Sequence, residues 1–302
     1  MCDSSGSKGP CGGKVLVDFS YLGTGFHGLA YQVDEPNTVE GHLFRALSVA
    51  NIARDVQSNG YERCGRTDRD VHALHNYCSF FTDPCSPDGP CSSVPSSYCD
   101  RGTCYRMNSF VKCVNKHLPS SIRINSVTRV SDDFSARRDC LMRTYKYFFQ
   151  LGCMDLGLMK EGCKYFLGTH DFKQFCKVDN RNPIDTHATI MSFEVDRYND
   201  LLCVATVTGR AFLWHQVRCM IGMLFEVGKG CVAPVKILCL LENPNLSKFN
   251  YKMASAHGLI LYECVHNIPY EGIPARNRAV YQQTLDDTIQ TLGPLSLLAG
   301  RF

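Results

Sequence analysis

No run of about 18 apolar residues in the chain is free of charge, which excludes a transmembrane helix. The opening MCDSSGSKGPCGGK has none of the apolar core a signal peptide needs. Residues 1–13 are therefore expected to form a disordered leader on an intracellular protein, nuclear, cytoplasmic or both. Charge of one sign is also scarce. Lys and Arg number 32 against 29 Asp and Glu, a net charge of +3, which admits an anionic partner without demanding one. Most of the 18 cysteines sit singly in apolar text such as NYCSFF and LLCVATV, where cysteine acts as a small hydrophobe. Cys85, Cys91, Cys99 and Cys104 fall in a Pro/Ser/Gly-rich segment, but no Cys-x-x-Cys pair joins them, and reduced thiols are expected there rather than zinc.

What is present is enough apolar content, 44% of 302 residues, to fill one large core or two medium ones. KVLVDFSYLG (14–23) alternates Val15, Val17, Phe19 and Tyr21 as a strand does. Val39, Leu43, Leu47 and Ala50 then recur at helical spacing within 37–56, with Asn37 and Glu40 placed to cap the start. Strand 76–81, helix 109–118 and strand 119–130 complete a first half. The second half offers strand 143–151, a helix around THDFKQFC (169–176), and strands 189–198 and 201–209 joined by a turn at Asn199-Asp200. Helix 213–228, a shorter helix near 234–242 and strand 258–265 follow. The expectation is an α+β protein of two units, each an antiparallel sheet with helices on one face. They span 14–130, with an insertion at 83–106, and 131–270, followed by a tail at 271–302.

Three patterns compete for the chemistry. GTGFHG (23–28) matches G-x-G-x-x-G after a strand, but no helix opens at its third glycine and no acid stands between Gly41 and Arg54. A tight glycine turn is the better reading. Cys176 lies near His170 and Asp171, a loose arrangement for a Cys/His hydrolase. The segment ERCGRTDRDVHALH (62–75) crowds Arg63, Arg66, Asp68, Arg69, Asp70, His72 and His75 into one short stretch. Arg218, inside an otherwise apolar helix, either emerges on a wet face or turns inward and needs a carboxylate such as Asp68.

Taken in order, SYLGTGFHGLAYQ…TVEGHLFRAL, GRTDRDVHA, FSAR…RTYKYFF, HDFKQFC, RAFLWHQVRCMIGMLFEVGKG and MASAHGLILYECV resemble the blocks of TruA-type tRNA pseudouridine synthases, from about residue 15 to 265. HDFKQFCKVD and FLWHQVRCM look most like the eukaryotic enzymes that act on positions 38 and 39 of the tRNA anticodon arm. The resemblance implies two ferredoxin/RNP-like subdomains around a central RNA-binding cleft. It implies Asp68 as the catalytic aspartate, Arg218 as its ion-pair partner, Tyr145 as the ring that stacks on the uracil, and Arg66 as the side chain filling the space of the flipped nucleotide. Arg69, His72, Arg137 and Arg143, with Arg138 beside them, are the expected substrate-binding residues. The reaction is an isomerisation, so neither cofactor nor metal is implied; the partner is tRNA, with no membrane. Bacterial members are homodimers, and a homodimer of this chain stays open.

One departure bears on the site. The family usually has a small residue, most often Gly, where this chain has Asp70, after Ala or Lys where it has Arg69. Asp tolerates a left-handed backbone better than most residues, yet it adds negative charge near Asp68. A catalytically impaired tRNA-binding or folding protein on the same scaffold is the alternative this raises.

Overall fold

A computed structural model describes residues 12–83, 105–178 and 185–267. The expected leader (residues 1–13) but for its last two residues, nearly all of the insertion with its four cysteines, and the tail lie outside those residues. The chain divides into two compact units. The first comprises the described residues up to Tyr21, Leu29–Arg66 and Asn76–Asp139; the second comprises Leu22–Gly28, Thr67–His75 and the chain from Cys140 onward. The division after 130 expected from the sequence falls instead after Asp139, and two short early segments join the second unit.

In the first unit, β1 (Lys14–Tyr21) pairs antiparallel with β4 (Ile122–Arg129), with a register shift between Asp18 and Phe19. All eight residues of β1 are buried, so the strand is covered on both faces. Its buried polar side chains are satisfied: Asn125 donates to Asp18 (3.0 Å) and accepts from Ser20 (3.1 Å). Helix α1 (Val39–Val49) is shorter than 37–56. Its cap is Thr38, whose hydroxyl accepts from the Gly41 N–H at 3.1 Å, rather than Asn37. Glu40 does not close a capping box, because its carboxylate is buried against Arg63 and Tyr61. The two-residue strand β2 (Glu62–Arg63) pairs antiparallel with the far half of β3 (His72–Phe81), and α2 (Tyr105–Asn115) precedes β4.

In the second unit, β9 (Leu259–His266) lies parallel to the start of β3, His72 opposite Ile260, and antiparallel to β5 (Cys140–Phe149). The parallel β3–β9 pairing beside the antiparallel β5–β9 pairing makes the second unit's sheet mixed, in keeping with an α+β fold of antiparallel and mixed sheets. β5 continues antiparallel to β8 (Cys203–Gly209), β8 to β7 (His187–Arg197) and β7 to β6 (Gly168–Asp171). The β7–β8 hairpin forms as expected, its turn held by Asn199 Oδ1 accepting from the N–H groups of Leu201 and Leu202.

The helix expected at 169–176 is absent. Phe172, Phe175 and Cys176 have helical spacing, but Thr169 sits in β6 opposite Thr189, and the apolar residues wrap a single 3-10 turn (Lys173–Phe175). The helix stands earlier, as α3 (Leu156–Tyr165), where the Asp155 carboxylate accepts from the N–H groups of Gly157 and Leu158. Helix α4 (Gln216–Gly228) buries Val217, Met220, Ile221, Met223, Leu224 and Val227, and α5 (Lys236–Glu242) follows it. Gly222 permits one close approach: a Cβ there would lie 2.3 Å from the Lys252 carbonyl. The segment 252–254 thereby rests on α4, with the Ala254 N–H donating to the Arg218 carbonyl at 3.1 Å. Among the described residues, no helix is long and apolar enough to cross a membrane.

Candidate active site at the GRTD turn

The glycine turn that resembles a nucleotide loop serves as a seat for the GRTD turn. At Gly23 a Cβ would lie 2.0 Å from the Val71 carbonyl, so only glycine lets the two backbones meet. The Gly23 N–H donates to His72 Nδ1 at 3.1 Å, and the Gly25 N–H donates to Asp70 Oδ1 at 3.0 Å. Gly28, at φ +92°, abuts the backbone of Thr67, Asp68 and Arg69. The turn closes on itself where the Val71 N–H meets the Asp68 carbonyl at 3.2 Å.

Asp68 is carried on this seat with a quarter of its side chain (24%) in solvent. Arg218 Nη1 and His215 Nε2 both lie 3.3 Å from its Oδ2. Arg218 therefore turns inward, the second of the two readings open from the sequence, and its Nε donates to the Ala254 carbonyl at 2.9 Å. Burial acts to raise the Asp68 pKa, but the His215 and Arg218 contacts outweigh it and hold the carboxyl below the ordinary value. Asp70, at φ 64°, takes a left-handed conformation, and its other oxygen sits 3.5 Å from Arg69 Nε. The extra acidic group thus faces an N–H and a guanidinium.

Sequence reasoning did not single out His215. The signal was its place three residues before Arg218, one helical turn away on the same helix end. His215 caps α4 with a left-handed backbone, φ 62° and ψ 6°.

Of the other expected residues, Tyr145 lies on β5, 7% exposed, with Phe212 edge-on to its ring at 5.1 Å. Arg66, Arg69, Arg137 and Arg138 are exposed. His72 and Arg143 are placed otherwise. His72 is 3% exposed, and burial first, with His257 second, pushes its pKa down to about 4. A neutral ring is what accepting the Gly23 N–H requires, so His72 holds the seat and is not presented to RNA. Arg143 is 8% exposed and donates to the Arg210 carbonyl at 2.6 Å, tying β5 to the end of β8. The Cys176 alternative also loses its chemistry. Burial pushes that thiol up to about 11, while His170 Nε2 is engaged 2.7 Å from the Leu167 carbonyl.

Comparison with known proteins gives a consistent set of relatives. A family model described as tRNA pseudouridine synthase matches residues 163–267. The tRNA pseudouridine(38/39) synthase of Bos taurus is 37% identical over 266 residues, covering 83% of this chain and 55% of that protein. The Homo sapiens protein of the same name is 36% identical over 263 residues, with the same coverages. The chain thus spans about half the length of these relatives. The tRNA pseudouridine synthase A of Methanoculleus marisnigri is 32% identical over 261 residues, 86% of each chain.

Proposed function

The chain belongs to the TruA-type tRNA pseudouridine synthase family, and from that premise we propose that it converts uridine to pseudouridine at positions 38 and 39 of the tRNA anticodon arm. The observation that carries this reading is a partly exposed Asp68 kept ionised against burial by Arg218 and His215 on one oxygen. In the reaction the N1–C1′ bond of uridine breaks, the uracil turns, and C5 joins C1′. The C5 proton leaves and N1 takes one up, so atoms and electrons balance without a donor. What the step needs is a positioned anion. An ionised Asp68 supplies it, by attack on C1′, by addition to the ring, or by taking a proton from the sugar.

Tyr145, its ring braced by Phe212, is the stacking partner for the extruded uracil, a contact worth roughly 1–3 kcal/mol. Arg66 fills the space the nucleotide leaves and offsets part of the cost of flipping. Exposed Arg137 and Arg138 in one unit and Arg69 in the other offer phosphate contacts, so binding weakens as salt rises. An intracellular location goes with this substrate. The test is to incubate the protein with unmodified tRNA and map pseudouridine by position, with Asp68→Ala as control. Product at 38 or 39 that disappears in the variant supports the reading. Equal product in the variant removes Asp68 from the chemistry, and tRNA binding without product from wild type favours the impaired binder.

A further inference from the structure

We infer that Trp214, with Lys177, forms a stacking platform for the nucleobase adjacent to the target uridine, an inference that rests on the reading of Asp68 given above. Trp214 is the single tryptophan of the chain and is 47% exposed. Its place is fixed by its neighbours. The Lys177 N–H donates to the Trp214 carbonyl at 2.9 Å, and the Lys177 ammonium lies 4.4 Å from the indole centroid. The indole and the His215 ring are 5.0 Å apart between centroids, tilted by 44°. His215 in turn reaches Asp68 Oδ2 at 3.3 Å. One imidazole therefore separates the indole from the reacting carboxylate, a gap that the next nucleotide of the same strand can bridge.

The chemistry of the pair suits that nucleotide. A large aromatic face binds any base by stacking, without reading its edge. An ammonium over an exposed ring is a weak cover on a flexible stem, easily displaced. When a base takes the indole face, Lys177 is left beside the phosphate of that nucleotide, where its charge is most useful. The pair thus contributes a stacking surface and a cation within one side chain of the site. Neither is used by the reaction at the uracil itself.

Intrinsic fluorescence reports on this residue alone. Titrating wild-type protein with unmodified tRNA should quench tryptophan emission saturably, over the same range in which filter binding saturates. Trp214→Ala should raise KM about tenfold while kcat changes less, and Trp214→Phe should restore most of the loss. Lys177→Ala should lower the salt slope of binding by about one phosphate contact. Unchanged emission at saturating tRNA, or a wild-type KM in Trp214→Ala, overturns the inference while pseudouridine formation by wild type still upholds the role of Asp68. A wild-type protein that makes no pseudouridine overturns both.

Discussion

Glu40 in the first unit and Asp68 in the second are each a carboxylate set against an arginine, yet the two are built differently. Glu40 is wholly buried. Its Oε1 accepts from the Tyr61 hydroxyl and Arg63 Nε, and its Oε2 from Arg63 Nη2 at 2.7 Å and the Tyr31 N–H at 2.8 Å. Both oxygens are spent on a two-pronged arginine, a hydroxyl and an amide. Asp68 keeps a quarter of its side chain in solvent, and among the described residues its contacts with Arg218 and His215 both fall on Oδ2. The same residue chemistry thus serves as a structural clasp when saturated and, in the function proposed for Asp68, as a reagent when half used. Burial with full hydrogen bonding makes an anion inert, whereas partial exposure with a charged partner keeps it both ionised and reachable.

The comparison breaks most sharply on exchanging what each carboxylate provides. Asp68→Asn should lower pseudouridine formation by about 10⁴-fold or more while unfolding free energy changes by about 1 kcal/mol. Glu40→Ala should instead cost about 3–5 kcal/mol in denaturant unfolding, because Arg63 loses its partner in a buried site. An Asp68 variant as unstable as the Glu40 variant would erase the distinction.

The seat beneath Asp68 gives the next effect. His72 has a folded pKa depressed to about 4 from 6.5, so the unfolded chain binds a proton first as pH falls. Stability present above about pH 6.5 is lost on acidification toward pH 4, on the order of 3 kcal/mol, and His72→Gln should flatten that part of the profile. Acid unfolding that is identical with and without His72 would remove it from the seat.

Arg218→Ala should lower kcat/KM about 10²-fold and move the acid limb of its pH profile upward. The direction follows because burial, which raises the Asp68 pKa, would then be opposed by His215 alone. A limb that stays in place would mean that Arg218 acts only through the Ala254 carbonyl. The smallest effect is expected at Asp70. Asp70→Gly relieves a left-handed residue but loses the contact with Gly25, so activity should stay within about threefold of wild type.

Much of the secondary structure was legible because alternation and helical spacing are local signals. The β7–β8 hairpin could be read from its strands and turn. The misreadings occurred where a local pattern had two physical solutions. Phe172, Phe175 and Cys176 fit a helix face, yet packing around a 3-10 turn buries them equally well. Helix α3, LGLMKEGCKY, has two glycines in ten residues, which lowers its intrinsic helix preference, and is secured by an aspartate cap and by contact with α4. In the site, Asp68 and Arg218 stood out as charged residues in unusual settings, whereas Tyr145 was marked only by the family resemblance. His215 did not, since one histidine among ten carries no mark until its ring is seen 3.3 Å from a carboxylate.

Local chemistry therefore set which residues could react or pair: a GRTD turn rich in charge, a glycine run able to bend tightly, an arginine in an apolar helix. Which carboxylate met which arginine depended on long-range packing. Asp68 and Arg218 are 150 residues apart in the chain. They meet because Gly23 and Gly28 let the GRTD turn settle onto backbone and Gly222 lets segment 252–254 press on α4. Sequence spacing encodes torsional preference and periodicity, but a charge pair is selected by which desolvated ion finds its partner once the core has closed.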